Sequence, residues 1–164
     1  MNQNEKFVVL LRHGIAEPHG ARADDDARIL TETGNRRMKQ IGRGLAKRFP
    51  KAEVIYSSPL IRCVETAEWV EKGYRGSINV KTYDALKPDG GADDIRALID
   101  GSEAQRIICV GHETNLSTAM LALTKMTSDG PIELKKGGCY GIRISGDGHA
   151  TLEWMLPPRV LRRA

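Results

Sequence analysis

Hydrophobic positions along the chain fall into short blocks that alternate between two periods. Phe7-Val8-Val9-Leu10-Leu11 is an unbroken apolar run, too short for a helix and halted by Arg12-His13-Gly14. It reads as a strand buried on both faces. Residues 15–30 carry Pro18, Gly20 and three successive aspartates, the composition of a loop. From Thr31 onward Met38, Ile41, Leu45 and Phe49 recur three or four positions apart, with Arg and Lys between them, which predicts an amphipathic helix ended by Pro50. Glu53 to Tyr56 is a second strand. A second helix is predicted over 60–72, with Pro59 in its first turn and Ser58 as its cap.

The remaining chain repeats the alternation. Ser77 to Lys81 is a weaker strand, Tyr83 to Gly91 a loop, Ala92 to Gly101 a short helix, and Arg106 to Val110 a strong strand that stops at Gly111-His112. Leu116 to Lys125 is helical. The last two strands, near 139–145 and 150–155, form an antiparallel ribbon through Gly146-Asp147-Gly148. Strands alternating with helices predict an α/β domain whose central strands are covered on both faces.

Composition narrows the function classes. At 164 residues, 40% hydrophobic and 28% charged, the chain suits one folded domain. No apolar run approaches a membrane span, and the polar start from Met1 to Lys6 lacks a leader's apolar segment. The expected compartment is the cytoplasm, with no membrane partner. Cys63, Cys109 and Cys139 are far apart and form no paired motif, so free thiols are expected. The charge of +4 suits an anionic substrate, but the scattered cations and few aromatics argue against nucleic acid. Nothing in the pattern speaks to oligomeric state.

Chemistry collects at the predicted strand ends. Arg12 and His13 follow the first strand, Arg62 opens the helix after the second, and His112 follows the strand at 106–110. If these strands are parallel, their carboxyl ends bring two histidines and two arginines into one crevice. Arginine forks match phosphate oxygens, and a neutral imidazole is a competent nucleophile toward phosphorus. A metal is not expected: zinc wants three or four ligands, and although His13, His112 and Asp84 could be assembled on paper, the adjacent arginines would repel a cation. Neither a phosphate-binding nucleotide loop nor a dinucleotide fingerprint nor a serine elbow is present, and no cofactor is expected.

Four segments in order carry a resemblance: Leu11-Arg12-His13-Gly14, Leu30-Thr31-Glu32-Thr33-Gly34, Ser57 to Ala67 (SSPLIRCVETA), and Val110-Gly111-His112-Glu113-Thr114-Asn115. Together they resemble the histidine phosphatase superfamily, also called phosphoglycerate-mutase-like. The short length, Arg28 and the terminal Trp154-Met155-Leu156-Pro157-Pro158 make the chain most similar to the small SixA-type phosphohistidine phosphatases.

The resemblance implies a three-layer α/β/α sandwich with a mostly parallel central sheet and an antiparallel C-terminal edge, residues 1–164 forming one catalytic domain. It implies His13 as nucleophile, Arg12 and Arg62 as phosphate clamps, His112 as a contact to the phosphoryl group, and Arg28 beside the pocket. Larger members use a carboxylic acid to protonate the leaving oxygen. Asp84 is preferred for that role here, with Glu17 and Asp24 to Asp26 as alternatives. The expected substrate is a phosphorylated protein bearing phosphohistidine. The alternatives are a small phosphorylated metabolite, a mutase reaction, or phosphate binding without turnover.

Overall fold

The computed structural model describes residues 5–164, so residues 1–4 of the polar start lie outside it. Six strands form one sheet: β1 (Lys6–Arg12), β2 (Val54–Ser57), β3 (Asn79–Thr82), β4 (Arg106–Gly111), β5 (Cys139–Ile144) and β6 (Ala150–Leu156). Their spatial order is β3-β2-β4-β1-β5-β6. β1, β2, β3 and β4 run parallel, while β5 is antiparallel to β1 and β6 to β5. This is the three-layer α/β/α sandwich with a mostly parallel core and an antiparallel edge.

The pleat explains the layers. Val8 and Leu10 of β1 face one way, into a core with Ile95 and Ile99 of α3 (Ala92–Asp100) and Leu116 and Met120 of α4 (Asn115–Thr124). Val9 and Leu11 face the other way. They meet Met38, Ile41 and Leu45 of α1 (Glu32–Arg48) and Cys63 and Val70 of α2 (Ile61–Gly73). A strand covered on both faces must be apolar at every position, which is why β1 reads as a continuous run.

Helix α1 starts where expected, with the Thr31 side chain accepting from the Gly34 N–H at 3.0 Å. Helix α2 does not. Its N-cap is Leu60 with no side-chain capping bond, and Pro59 lies outside the first turn. Ser58 is turned toward His112 instead, so the residue that resembles a cap serves the neighbouring strand end. The chain also forms a short helix that was not expected, α5 (Pro158–Arg162). Pro158 suits a first helical turn, and Leu161 is fully buried against α1. All three cysteines are buried and free.

Candidate active site at the carboxyl ends of the strands

The sheet register assembles the site. Arg12 lies beside Gly111, and Ser57 beside Val110, so β1, β4 and β2 end at one level. The chain beyond each end is still tied to its neighbour. His13 N–H donates to the Gly111 carbonyl at 3.1 Å, and Ser58 N–H to the Val110 carbonyl at 2.9 Å. Thr66 joins this edge to α2: its Oγ1 accepts from the Gly14 N–H at 3.0 Å and donates to the Arg62 carbonyl at 2.7 Å. His13, Arg12, Arg62 and His112 are thereby brought together, as the sequence pattern expects.

His13 is 6% exposed, with Nδ1 2.8 Å from the Gly14 carbonyl. A carbonyl only accepts, so Nδ1 carries the proton and Nε2 keeps its lone pair. Burial pushes the His13 pKa from 6.5 down to about 3. The Gly14 bond opposes that shift, and His112, Arg62 and Arg12 reinforce it. The ring is therefore neutral near neutral pH, the form in which imidazole is nucleophilic. His112 stands 5.2 Å away between ring centres, tilted by 60°. Its pKa is also pushed to about 3, first by burial and then by Arg62, Arg28 and Arg12. Nε2 of His112 lies 2.9 Å from the Ser58 hydroxyl and 3.4 Å from the Cys63 thiol.

Three guanidinium groups surround the histidines. Arg62 is 3% exposed, and its Nη1 donates to the Asp25 carbonyl at 3.1 Å. Arg28, also buried, donates from Nη1 to the Glu17 carbonyl at 2.7 Å and from Nη2 to Asp25 Oδ2 at 3.1 Å. Arg12 Nη1 donates to Glu133 Oε1 at 3.0 Å and to the Leu134 carbonyl. The buried Nε atoms of Arg12 and Arg62 have no hydrogen-bond partner. Lys136 adds a fourth cation, its pKa lowered by burial and then by Arg12, Arg28 and Arg62. Such a cluster, with donors left over, is built for an anion. Among the described residues no group of three or more His, Cys, Asp or Glu is placed to hold a metal ion.

The acid candidates are placed differently. Glu17 accepts from Arg22 Nε at 2.6 Å, from Arg22 Nη2 at 3.1 Å and from the Ile29 N–H at 3.2 Å. The Arg22 bond foremost holds its carboxyl below the usual range. Asp84 is mostly exposed and pairs with Lys87 at 3.1 Å rather than with the histidines. Asp25 does reach the cluster, but as the partner of Arg28, which holds it ionised.

Several contributors escaped the sequence reading. Ser58 carries the local signal of a helix cap but contacts His112. Glu113 belongs to a quoted motif but had no role; its carboxylate accepts from the Ser117 N–H at 3.2 Å and the Leu134 N–H at 2.6 Å. That bond places the 133–138 segment, whose Gly137 N–H reaches the carbonyls of Arg12 at 3.1 Å and His13 at 3.2 Å. Apart from the Glu113–Ser117 bond within one helical turn, these contacts join residues far apart in sequence, so no local pattern advertises them.

Comparison with known proteins agrees with this geometry. Residues 8–88 match the description of the histidine phosphatase superfamily (branch 1). An uncharacterized protein of Picosynechococcus sp. is 30% identical over 139 residues, covering 83% of this chain and 84% of that protein. The fold is similar to that of the protein histidine phosphatase SixA complexed with tungstate, with a TM-score of 0.80 at 20% identity, covering 94% of this chain and 99% of the other. It is also similar to a phosphoserine phosphatase of Entamoeba histolytica, with a TM-score of 0.73 at 20% identity, covering 95% and 99% of the two chains. No helix among the described residues is long and apolar enough to cross a membrane. With the strand-end histidines and arginines in place, the chain belongs to the histidine phosphatase superfamily.

Proposed function

We propose that this protein is a phosphatase that acts through a covalent phosphohistidine on His13, and that its substrate is phosphohistidine in another protein. Nε2 of His13 attacks phosphorus, an N–P bond forms, and the bond to the substrate's imidazole breaks. The departing imidazole takes a proton from solvent. Water then attacks phosphorus, the His13 N–P bond breaks, and inorganic phosphate leaves with neutral His13 restored. Arg12, Arg62 and Arg28 hold the phosphoryl oxygens, and His112 faces the charge that builds on them.

The observation that carries the reading is the state of His13: Nδ1 engaged by the Gly14 carbonyl, Nε2 bare, and the ring neutral among guanidinium groups. The substrate class rests on the carboxylates. An alkoxide leaving group needs general-acid help worth roughly 10²–10⁴-fold. Glu17 is bound by Arg22, Asp84 pairs with Lys87, and Asp25 is held ionised by Arg28. A phosphorylated imidazole leaves without such help, because imidazole titrates near neutrality.

Rapid quench followed by mass spectrometry tests both parts. The protein is exposed to a phosphohistidine-bearing protein and, separately, to p-nitrophenyl phosphate. A phosphoryl adduct on His13 from both donors, with faster turnover of phosphohistidine, is expected. Equal or faster turnover of simple monoesters would move the substrate to a small phosphorylated metabolite. Absence of any adduct despite phosphate binding would leave a non-catalytic phosphate-binding module.

A further inference from the structure

Away from His13 the chain carries a second concentration of positive charge. A cleft of about 740 Å³ opens between the second half of α1, the C-terminal end of α2, and α5. Its cations are Arg43 and Lys47 from α1, Lys72 and Arg75 from the end of α2, and Arg162 from α5; no acidic side chain lines it. Along α1, Arg43 stands roughly 17 Å from Glu32 at the catalytic end of the helix.

The convergence is built by backbone contact. A Cβ on Gly42 would sit 2.3 Å from the Trp69 carbonyl, and one on Gly73 2.3 Å from the Gly42 carbonyl, so α1 and α2 cross with nothing between them. A Cβ on Gly44 would lie 1.8 Å from the Leu161 carbonyl, so α5 is drawn equally close. These crossings force side chains from three helices around one space. Among the described residues, none of the cleft cations forms an ion pair with an acidic side chain. Lys47 is already engaged, donating at 3.1 Å to the terminal main-chain oxygen of Ala164, which itself lines the cleft, and Nε of Arg162 is buried with no hydrogen-bond partner among the described residues. Basic residues near a helix C-terminus gain from its dipole, but that does not account for cations gathered from three helices into one concavity.

We propose that this cleft is a binding site for a small polyanion carrying a row of phosphate groups. Its volume lies within the roughly 300–1,000 Å³ of small-ligand sites, and a concave site suits a short chain of phosphates better than a flat membrane. Arginine forks from α1, the end of α2 and α5, and ammonium groups from α1 and α2, match successive phosphates. Two sources share this chemistry, an inorganic polyphosphate and a nucleoside polyphosphate. The indole of Trp69 lies beside Arg43 and Lys72 in an adjoining hollow, with Lys72 Nζ 4.6 Å from its ring centre, so the base of the second would stack there by displacing that ammonium or on the ring's other face. The site is independent of the phosphatase reading.

Calorimetric titration with sodium tripolyphosphate and, separately, with ATP tests it. The Arg62→Ala variant disables the pocket at His13 and isolates the cleft. Binding of tripolyphosphate is expected to persist there and to weaken as salt is raised. Adding Arg43→Ala and Lys72→Ala is expected to weaken it by about tenfold or more. Adding Arg75→Ala and Arg162→Ala instead gives a second variant with the same expected loss, and thermal melts verify that each is folded. ATP binding more tightly than tripolyphosphate supports the nucleoside source; equal or weaker binding supports the inorganic one. The proposal is overturned if Arg62→Ala alone abolishes binding, or if both cleft variants bind as Arg62→Ala does.

Discussion

The Ser58 hydroxyl lies 2.9 Å from Nε2 of His112, and both residues are buried. Ser58 Oγ also accepts from the Leu60 N–H at 3.4 Å, and its own proton remains available to Nε2. We predict that Ser58 donates there and so favours the neutral His112 tautomer with its proton on Nδ1. Ser58→Ala removes this control. Turnover is expected to fall about tenfold and stability by about 1–3 kcal/mol, since a buried acceptor loses its partner. Nitrogen-15 NMR of His112 checks the cause, with the Nδ1–H form losing population in the variant.

Arg62 is buried beside the histidines, and the proposed function makes it a clamp that works as a planar fork. Arg62→Lys keeps the charge and loses the fork, so kcat/KM is expected to fall about 10²-fold. Steady-state kinetics with phosphohistidine checks this. A change below about threefold would mean that charge alone suffices.

Stability should follow the two buried histidines. Each binds its proton near 6.5 when unfolded but only near about 3 when folded. Between those values the unfolded chain holds more protons, so stability rises with pH across the window. The contribution is fully present above about 6.5 and is lost as pH falls toward about 3. Urea melts at about pH 7 and about pH 4.5 measure it, and His13→Gln is expected to flatten the difference.

The carboxylate candidates give a sharper test of substrate class. Asp84→Asn and Glu17→Gln are each expected to change phosphohistidine turnover by less than about twofold. A loss of about 10²-fold or more in either would identify a general acid and favour a monoester substrate. Parallel assays on phosphoserine, whose alkoxide leaving group needs the acid, and on p-nitrophenyl phosphate, whose phenolate does not, separate the cases.

Gly34 joins α1 to the chain after His13. A Cβ there would lie 2.0 Å from the Ile15 carbonyl oxygen, which also accepts from the Thr31 N–H at 2.9 Å. Gly34→Ala is expected to cost about 1–3 kcal/mol and to lower turnover, because relief of the clash moves residues next to His13. Paired denaturation and activity measurements check it.

What the sequence makes legible here is what short-range pattern encodes. The apolar run of β1 and the spacing of Met38, Ile41 and Leu45 report burial directly, so the layers and the parallel strand ends follow. His13 and Arg12 are legible because the first strand must stop where they stand. Ser58 misleads because a serine before a proline carries the same local signal whether it caps a helix or binds His112. Helix α5 is hidden because its order depends on Leu161 meeting α1, not on its own propensity. The 133–138 segment is set by Glu113 and Arg12, contacts that span the sheet and leave no periodicity.

The bridge between Ala16 and Leu30 brings together the two ends of the excursion from 17 to 29 beside the pocket. Lengthening a loop whose ends are already joined is thermodynamically cheap, about 0.6 kcal/mol for a doubling. Length can therefore be added to this excursion at little cost, reshaping the pocket mouth for bulkier or smaller substrates, and because Asp25 and Arg28 lie within it, its exchange also alters the partners of Arg62. Divergence of specificity within such folds then requires no change at the strand ends that carry His13 and His112.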